Sequence, residues 1–521
     1  MWLDQGPDPT AFEMAPIRLD CIDSSRPKRL ESPSISDMKN HLIIAALGTV
    51  CVATIATSPA QDWNGYLFDN GHSSNNKLAT AITPSNVSTL VAAWSFADPQ
   101  PTMQGQPSAS LYSTPTVLNG VVYIGSNTGM FYALDEATGA MLWQQLLGFT
   151  SPTTCVNGHG VTSTATVATD PVSGTLTVYV GGGDGYLYAL DAATGAIVFR
   201  QFVCDVGPPK NTGFIWASPT ILNGTIYLGF ASQCDHPLVR SAISSFDQHT
   251  GALRRTFWTL PLGSTGAGVW STAATDGKSI WFADGNSHIT SGGYAYAIVK
   301  LKAQNLQFLT DWVAPVDGDL DWGSSPTLFQ ATVNNVKTQM IGANEKSGVF
   351  YAFDATHLEN GPVWSYPVGV TEGFDVGACL AAPIWDSTNR RLYVAGNQTT
   401  IQSQVFAGSV RAFNPADGTI IWEAGLTGGP VMGSPTLDGA GVLAAGTYNI
   451  QDITQNAVYL LDSSNGNILT TIPERNAIVF AQPVFACNYL FVATAAASSG
   501  DIPTSATLTA FIPSALKPLK K

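Results

Sequence analysis

Short apolar runs alternate with clusters of glycine and aspartate along most of this chain. Residues 176–180 and 186–190 are two such runs, rich in Val, Leu, Tyr and Thr, and a glycine-rich stretch separates them. Runs of β-branched and aromatic residues bounded by Gly and Asp are typical of antiparallel strands joined by tight turns. With residues 164–167 before them and 196–199 after a further turn, they predict a unit of four strands.

This four-strand unit recurs eight times at an almost constant spacing. Each copy opens with a small or polar residue followed by Pro or Ala, and successive copies lie about 50 residues apart. The eight marks are Thr114-Pro115, Thr164-Ala165, Ser218-Pro219, Thr272-Ala273, Ser325-Pro326, Ala382-Pro383, Ser434-Pro435 and Gln482-Pro483. A repeat of this length indicates units that bury their apolar faces only against their neighbours. Eight such units predict an all-β fold, an eight-bladed β-propeller of four-stranded antiparallel blades around a central channel.

The last repeat is one strand short. After residues 507–511 no further apolar run follows, whereas residues 90–96 form an apolar run ahead of the first repeat. Pairing this N-terminal strand into the eighth blade would close the ring and remove an open sheet edge. The sequence therefore predicts one propeller domain over residues 61–513, followed by a tail at 514–521.

An Asp-x-x-Thr-Gly turn recurs before the fourth strand, for example at residues 135–139 and 191–195. The Asp carboxylate can accept hydrogen bonds from the amides of its own turn, and Gly tolerates positive φ. We interpret these aspartates as turn formers. The aromatic residues that follow the turns, Trp143, Phe199 and Trp422, are interpreted as packing anchors between blades.

Composition and charge argue against one class of partner. Charged residues make up 12% of the chain, and the formal net charge is −14. Since acidic residues outnumber basic ones and the basic residues form only short clusters, such as the lysines near the C-terminus, we expect no nucleic-acid partner.

The N-terminal residues carry an export pattern. Met38-Lys39-Asn40 precedes an apolar run at 42–56 and a Ser-Pro-Ala step at 58–60, as in a secretory signal peptide. The apolar run is shorter than the ~20 residues of a membrane-spanning helix. We predict a signal peptide at 38–60 and a secreted or periplasmic protein that does not span a membrane. Residues 1–37 show no strand or helix pattern and are interpreted as a disordered leader or a mis-assigned start.

Five cysteines follow residue 60, namely Cys155, Cys204, Cys234, Cys379 and Cys487. An oxidising compartment would allow disulfides, but the odd number leaves at least one thiol free. Cys155 and Cys204 lie in successive loops between blades, on the same rim, and are the predicted pair.

Ordinary hydrolase and nucleotide-binding motifs are missing from the sequence. Three loop segments break the plain repeat instead, at residues 268–286, 317–323 and 342–351. In a propeller, the strand ends in these segments converge on one face, around the mouth of the channel. Their indole, amide, carboxylate and ammonium groups could together hold a flat, anionic, metal-bound ligand.

The repeats resemble those of the pyrroloquinoline-quinone (PQQ) dehydrogenase propellers, through a Tyr-Ala-Leu-Asp-x-x-Thr-Gly-x-x-x-Trp pattern. Two segments are similar to those that bind the cofactor in quinoprotein alcohol dehydrogenases: Trp270 with Asp284-Gly285-Asn286, and residues 346–351. Among subfamilies the chain looks closest to the secreted propellers related to polyvinyl-alcohol dehydrogenase. The resemblance implies a quinone stacked on Trp270, with Lys346 at its oxygens and Ca²⁺ at Asn286.

The resemblance also has departures. The family has a Gly-Asp-Asn loop, which carries the catalytic base, just after the position of Asn286, whereas residues 287–294 contain no carboxylate. The metal-binding Glu of the second blade has no counterpart, and Asp184 is the only acid near its position. A single cysteine, Cys155, stands in place of the family's adjacent cysteine pair.

These comparisons define the expected site. The residues expected to bind the cofactor are Trp270, Lys346 and Trp322; those expected to bind the metal are Asn286 and Asp184; those expected to serve as the catalytic base are Asp319, Asp321 and His288.

Two functions are left open by the sequence. The first is an exported PQQ- and Ca²⁺-dependent alcohol dehydrogenase that oxidises a small-molecule or polymeric alcohol. Its electrons would pass to a separate acceptor, because the chain has no Cys-x-x-Cys-His haem-attachment motif. The alternative is a non-catalytic propeller whose rim binds a protein or a glycan, since a fold alone carries no function.

Overall fold

Eight antiparallel sheets, each with four principal strands, confirm the predicted eight-bladed β-propeller. The computed structural model describes residues 62–100, 109–150, 158–206, 213–235, 237–287, 293–316, 318–370, 379–496 and 506–517. These residues belong to one unit, Thr57–Lys521. The predicted leader at 1–37 and signal peptide at 38–60 lie outside the described residues.

The first four blades each use four consecutive strands of the chain. Blade 1 consists of Thr116–Leu118, Val121–Gly125, Met130–Asp135 and Met141–Leu146. Blade 2 consists of Thr166–Thr169, Leu176–Gly181, Tyr186–Asp191 and Ile197–Phe202. Blade 3 consists of Thr220–Leu222, Thr225–Ser232, Ala242–Asp247 and Leu253–Trp258. Blade 4 consists of Ala274–Thr275, Ser279–Ala283, Ala297–Lys302 and Gln307–Val313.

The remaining blades follow the same order, except for the last strand of blade 8. Blade 5 consists of Thr327–Val333, Val336–Asn344, Val349–Asp354 and Pro362–Pro367. Blade 6 consists of Ile384–Asp386, Arg391–Gly396, Gly408–Phe413 and Ile420–Leu426. Blade 7 consists of Thr436–Asp438, Val442–Gly446, Ala457–Asp462 and Ile468–Pro473. Blade 8 consists of Val484–Ala486, Tyr489–Ala493, Thr507–Pro513 and Leu90–Ala97.

The fourth strand of blade 8 comes from the N-terminal side of the chain, as predicted. Leu90–Ala97 pairs antiparallel with Thr507–Pro513, so the two ends of the propeller meet in one sheet. Four short strands lie outside the four-strand pattern: Asn75–Asn76, Gly213–Phe214, Thr399–Ile401 and Gln404–Phe406. The described helical segments are single 3₁₀ turns at Val87–Thr89, Leu358–Asn360, Ile453–Gln455 and Ser514–Leu516. None of the helices in the described ranges is long and apolar enough to cross a bilayer.

The residue that opens each repeat forms a belt of hydrogen bonds around the channel. The backbone N–H of Thr164 donates to Ser218 Oγ at 3.0 Å, and that of Ser218 donates to Thr272 Oγ1 at 2.9 Å. Similar links join Thr114 to Thr164, Thr272 to Ser325, Ala382 to Ser434 and Gln482 to Thr114. These links join six of the eight pairs of neighbouring blades, including blade 8 to blade 1; the residues that open blades 6 and 8, Ala382 and Gln482, have no hydroxyl to accept such a bond. The repeat therefore favours Ser or Thr at this position because the side-chain oxygen satisfies a buried amide of the preceding blade.

A second set of links explains the threonines that follow five of the eight marks. Thr166 Oγ1 donates to the carbonyl of Pro219 at 2.6 Å, and Thr220 Oγ1 donates to that of Ala273 at 2.6 Å. Proline is tolerated at these marks because the link uses its carbonyl and needs no N–H.

Residues 62–76 form an inner segment that the apolar pattern does not predict. This segment bonds to the first strand of all eight blades in turn. Its backbone pairs with Val117, Val167, Thr275, Leu328, Trp385 and Leu437, and the side chains of Asn70 and Asn76 donate to Ile221 and Phe485. The contacts fall towards the lower end of the channel, which is the end of the hairpins that join first and second strands. The inner segment therefore lies across this lower end.

The predicted anchors between blades are confirmed. Trp143 packs on Gly195 of the next blade, where a Cβ would come within 2.5 Å of the indole, and its Nε1 donates to the Ala192 carbonyl. Phe199 contacts Gly251 and Trp422 contacts Gly466 in the same way. The Asp-x-x-Thr-Gly turn needs its glycine for this close approach as well as for its positive φ.

The turn chemistry is confirmed in the same hairpins. Asp135 Oδ1 accepts hydrogen bonds from the amide and the hydroxyl of Thr138, and Asp191 does the same for Thr194. These aspartates belong to the lower face and act within their own turns.

The predicted pairing of Cys155 with Cys204 is wrong. Cys204 is a free thiol buried in the apolar core between blades 2 and 3. Cys234, after the second strand of blade 3, is the disulfide-bonded cysteine within the described residues. Cys155 itself lies outside them. The prediction was based on the neighbouring positions of the two cysteines on the rim. The Cys204 side chain instead points into the core, so it is not available at the rim.

We expect Thr272→Ala to destabilise the propeller by about 1–3 kcal/mol. The substitution leaves the buried amide of Ser218 without its acceptor, and an unsatisfied buried donor costs energy of this order. Urea unfolding at pH 7 measures the change. Thr272→Ser, which keeps the acceptor oxygen, should remain within about 1 kcal/mol of the parent; equal losses in the two variants would show that the hydrogen bond is not the cause.

Candidate functional site

Loops of blades 3 to 5 bring the predicted residues together on the upper face, opposite the inner segment. Trp270 precedes the first strand of blade 4, and Asn286 follows its second strand three residues after Ala283. Asp319 and Asp321 precede the first strand of blade 5, and Lys346 lies between its second and third strands. In a four-stranded blade these loop types share one face, so each side chain reaches the same mouth.

Lys346 is the centre of this site. Its ammonium lies 2.7 Å from Asp319 Oδ1 and 2.6 Å from Asp321 Oδ1. The side chains of Lys346 and Asp319 are 14% and 19% exposed, whereas that of Asp321 is 3% exposed. Lys346, Asp319 and Asp321 therefore form an ion-pair triad, in which Asp319 is partly exposed to solvent and Asp321 is buried.

Trp270 and Asn286 contact the same triad. The Lys346 Nζ lies 5.1 Å from the centroid of the half-buried Trp270 ring. The backbone amide of Asn286 donates to Asp321 Oδ2 at 2.9 Å, and its Nδ2 donates to Asp235 Oδ2 at 2.6 Å. One network of contacts thus joins the indole, the amide, the ammonium and three carboxylates.

Gly285 allows the loops of this network to pack closely against each other. A Cβ on Gly285 would lie 2.9 Å from the Gly268 nitrogen and 3.0 Å from Asp321 Oδ2. The Gly285 amide also donates to the Gly268 carbonyl at 2.9 Å. Because no side chain fits there, the loops that carry Trp270 and Asn286 can approach each other and Asp321 closely.

The triad keeps its lysine charged. Burial lowers the pKa of Lys346, but the carboxylates of Asp321 and Asp319 outweigh burial, so the pKa is raised above its ordinary value. Burial raises the pKa of Asp321 to about 6, although the neighbouring Lys346 ammonium opposes this change. At neutral pH Lys346 therefore carries a positive charge and Asp321 is largely ionised, and both groups are held with little access to water.

Two further acids lie behind the triad. Glu345 is fully buried, and burial raises its pKa to about 7 even though Ser347 donates to its carboxylate. Asp284 is also fully buried; its pKa is raised by burial, and its Oδ2 has no hydrogen-bond partner within the described residues. Because these acids are buried, they are not exposed at the mouth, and they affect the site only through its electrostatic potential.

The other predicted residues lie elsewhere or outside the description. Trp322 is fully buried in the core between blades 4 and 5, and its Nε1 donates to the Tyr296 carbonyl at 2.8 Å. Its ring is a core element, so it has no free face for a cofactor. Asp184 bonds within blade 2, to the Tyr188 hydroxyl at 2.6 Å and to the Tyr186 amide. His288 lies outside the described residues.

Sequence reasoning missed Asp235, Asp284 and Glu345. Asp235 follows the second strand of blade 3 by three residues, the position that Asn286 holds in blade 4 and Asp184 in blade 2. Aligning the repeats at the end of this strand would have selected it. No such signal exists for Asp284 or Glu345, because burial of a carboxylate depends on packing between blades.

The described residues do not form a metal site. Within the described ranges, no group of three or more His, Cys, Asp or Glu side chains is arranged to hold a metal ion. A Ca²⁺ ion takes six to eight oxygen ligands, whereas the Asp321 carboxylate is engaged by the Lys346 ammonium and the Asn286 backbone amide, and the side-chain oxygens of Asn286 and Asp235 alone are too few. The Lys346 ammonium already offsets part of the negative charge of the Asp319 and Asp321 carboxylates.

Comparison with known proteins shows what the propeller resembles. The family described as "glucose/ethanol/alcohol dehydrogenase, beta-propeller domain" matches residues 63–284. This part of the chain is therefore similar to a PQQ-type β-propeller domain. A quinohemoprotein alcohol dehydrogenase of Pseudomonas putida, ADH IIB, is 30% identical over 183 residues, or 34% of this chain and 24% of that protein. The 1-butanol dehydrogenase (cytochrome c) of Thauera butanivorans is 28% identical over 190 residues, or 36% of this chain and 25% of that protein.

The solved structures extend the likeness of fold over most of the propeller. The quinohemoprotein alcohol dehydrogenase of Comamonas testosteroni superimposes with a TM-score of 0.67 at 18% identity, covering 89% of this chain and 82% of that one. At this identity the match shows the fold alone. The sequence matches span about a quarter of the length of the curated relatives.

We expect Lys346→Met to destabilise the propeller more at pH 8 than at pH 5. An unfolded Asp ionises near pH 4, so a buried Asp321 with a raised pKa makes the folded state lose stability as the pH rises towards that pKa. Without the ammonium, the pKa of Asp321 moves above about 6, and the loss extends to higher pH. At pH 8 it should reach roughly 3–5 kcal/mol, as for other broken buried pairs.

Urea unfolding at the two pH values measures this difference. Lys346→Arg keeps the positive charge and serves as the matched control, with a smaller loss that changes little with pH. A Lys346→Met loss that is equal at both pH values would contradict an ion pair at Asp321.

Proposed function

We propose that the protein is a PQQ-dependent dehydrogenase that oxidises an alcohol to a carbonyl compound. The observation that carries this proposal is the meeting of Trp270, Lys346, Asp319 and Asn286 in one contact network at the mouth of the channel. The relatives' names as alcohol dehydrogenases agree with it. No observation on the described residues favours the scaffold alternative over this one.

The site suits a flat anionic quinone. Trp270 presents a half-buried indole, and the Lys346 ammonium lies over its ring, 5.1 Å from the centroid, so one ligand at this indole can contact both side chains. Lys346 then binds an oxygen of the ligand, and Trp270 fixes its plane. When bound, a cofactor of this class accepts the two electrons of the alcohol oxidation.

The chain's own carboxylates handle the proton. Asp319 is the most exposed member of the triad, so we assign it as the base that takes the proton of the substrate hydroxyl. Asp321 is buried and acts as a positioning residue, because it holds both the Lys346 ammonium and the Asn286 amide. The hydroxyl proton passes to Asp319 while the carbon loses a hydride equivalent, which leaves the carbonyl product.

No step is assigned to Ca²⁺. The described residues do not fit a Ca²⁺ site, and the positive charge of Lys346 stands where a cation would otherwise compensate Asp319 and Asp321. The expected metal ligands Asn286 and Asp184 have protein partners in Asp235 and Tyr188.

We further propose that the substrate is a small-molecule or polymeric alcohol, that a separate protein accepts the electrons, and that the protein works outside the cytoplasm. The name of the Thauera butanivorans relative gives cytochrome c as its acceptor, and this chain has no Cys-x-x-Cys-His motif of its own. The disulfide at Cys234 supports an oxidising compartment, as does the pattern at 38–60. N-terminal sequencing of the protein recovered from culture fluid or periplasm would test the cleavage after residue 60.

We expect calorimetric titration to show that the purified protein binds PQQ, and we expect dye reduction when a primary alcohol is added. Lys346→Met and Trp270→Ala should each weaken PQQ binding by about tenfold or more, since each removes one main contact. Lys278→Met, an exposed lysine on the lower face, is the matched control and should bind normally. Titrations with and without added Ca²⁺ should agree. Absence of PQQ binding under both conditions would overturn the proposal.

We expect kcat/KM to fall as the pH drops below about 6. Below this pH Asp321 takes up a proton, its ion pair with Lys346 weakens, and the ammonium loses its fixed position. A pH–rate profile of the PQQ-loaded protein measures the inflection. In Asp321→Asn the inflection should disappear and kcat/KM should be low at all pH values; an unchanged profile would exclude this role of Asp321.

A further inference from the structure

A cavity lies between blades 5 and 6 on the lower face, away from the charged site at the mouth; we call it the lower cavity. Its volume is about 530 Å³, the size of a site for a small organic ligand. The first two strands of blade 5 form one side, and the first strand of blade 6 with the turn after it forms the other. Its lining includes Phe329, Thr332, Lys337, Trp385, Ser387 and Arg390.

The lower cavity is positively charged, although the chain as a whole is acidic. Lys337 and Arg390 line it, and no residue of its lining is acidic. A third cation, Lys77, lies at its edge, where the ammonium donates a hydrogen bond to the Ser387 hydroxyl. The chain has 37 acidic residues against 23 lysines and arginines. A local excess of positive charge against this background favours an anionic ligand.

The two lining cations are not paired with carboxylates of the protein. Within the part of the chain that the structure describes, neither Lys337 nor Arg390 takes part in an ion pair. Asp386 belongs to the same turn as Arg390, but it is buried, and its oxygens accept hydrogen bonds from Thr388 and Asn389. The charges of Lys337 and Arg390 are therefore available to a ligand.

Thr332 brings the two cations close to each other. It lies directly opposite Lys337 in the first hairpin of blade 5, so the two side chains project from one face, about 5 Å apart at Cβ. From blade 6, the Arg390 guanidinium donates to Thr332 Oγ1 at 3.2 Å. A guanidinium, an ammonium and a hydroxyl group are thus neighbours, and these are the donors that proteins use to bind phosphate and carboxylate groups.

The backbone of Arg390 supports a role for its side chain. Its φ is 54°, in the left-handed region, which is unfavourable for a residue with a bulky side chain. The first hairpins of blades 1, 3 and 5 have asparagine in this conformation, at Asn119, Asn223 and Asn334. Asparagine tolerates the left-handed region better than arginine does. Blade 6 thus has a strained residue at this position, and such strain is found where a side chain has a function.

Trp385 places a flat apolar surface beside these cations. Its half-buried ring lies 5.8 Å from that of Phe329, between centroids, so the core holds the indole in position. A planar ligand can pack against Trp385 while its anionic group contacts Lys337 and Arg390. Because two cations line the cavity without a carboxylate, a ligand with two negative charges matches it better than one with a single charge.

We propose that the lower cavity binds a small organic dianion that carries a flat ring. A phosphate monoester and an aromatic dicarboxylate share this chemistry. The proposal is independent of the dehydrogenase activity, because the lower cavity shares no residue with the site formed by Trp270, Asn286, Asp319, Asp321 and Lys346.

Calorimetric titration of the full chain with phenyl phosphate and with phthalate tests this proposal. We expect saturable binding of at least one of these dianions, and the one that binds identifies the anionic group. Inorganic phosphate lacks the ring and benzamide lacks the charge, so each should bind at least about tenfold more weakly. Lys337→Gln should weaken dianion binding about tenfold. Lys278→Gln, at an exposed lysine of the lower face of blade 4, is the matched control and should bind normally.

Arg390→Asn separates loss of the ligand site from loss of the fold. Since asparagine tolerates the left-handed conformation, this variant should be at least as stable as the parent in urea unfolding, yet bind the dianion about tenfold more weakly or worse. Lys346→Met should leave dianion binding unchanged.

Three results would overturn the proposal: no saturable binding of either dianion, parent-like affinity in both Lys337→Gln and Arg390→Asn, or loss of binding in Lys346→Met, which would place the dianion at the mouth. Dianion binding in a protein that does not bind PQQ would support the lower cavity and contradict only the dehydrogenase proposal.

Discussion

Hydrogen bonds from repeat-opening amides to a hydroxyl of the next blade, present at six of the eight junctions, are the constraint on which the rest of the structure depends. A single blade is a small sheet that cannot bury its own apolar face. It also provides no hydrogen-bond acceptors for the amides at its inner edge. The belt of hydrogen bonds between blades pairs those amides, and it also holds neighbouring sheets together so that their apolar faces are buried. The link from Gln482 back to Thr114 makes the array a closed ring. Tryptophans seated on turn glycines then fill the space between sheets further from the axis.

The ring explains why a charged site can exist at the mouth. Asp321, Asp284 and Glu345 come from loops of adjacent blades, and packing of those blades withdraws them from water. Burial alone would make their carboxylates protonate. The Lys346 ammonium offsets this for Asp321, which leaves a polarised but nearly neutral cluster beside the indole of Trp270. Such preorganised charge, held in a site that excludes water, is the arrangement that stabilises charge development in a reaction.

The two sides of the channel mouth differ in charge. Blades 4 and 5 contribute the ion-pair triad, and blades 8 and 1 to 3 contribute the contacting aromatic rings of Phe480, Tyr112, His159 and Trp216. Trp270 belongs to both halves, because it faces Lys346 and continues the register of Trp216. A ligand with an ionic part and a neutral part, or a cofactor next to a neutral substrate, would use both halves together. The inner segment at 62–76 bonds to the first strand of every blade, away from the loops that carry the charged site.

The repeat spacing by itself determined the architecture: the number of blades, their strands and the closure of blade 8 by residues 90–97 all follow from apolar runs and turn residues. The loops that break the repeat, together with the resemblance to quinoprotein alcohol dehydrogenases, selected Trp270, Asn286, Asp319, Asp321 and Lys346, and the repeat indicated that these loops share one face. Only the tertiary structure showed that Asp235 joins them, that Trp322 and Cys204 point into the core, and that residues 62–76 bond to every blade. These depend on side-chain direction and on contacts across hundreds of residues, for which a local pattern carries no signal. Periodicity specifies which face a loop occupies, whereas packing between blades decides which of its side chains remain at the surface.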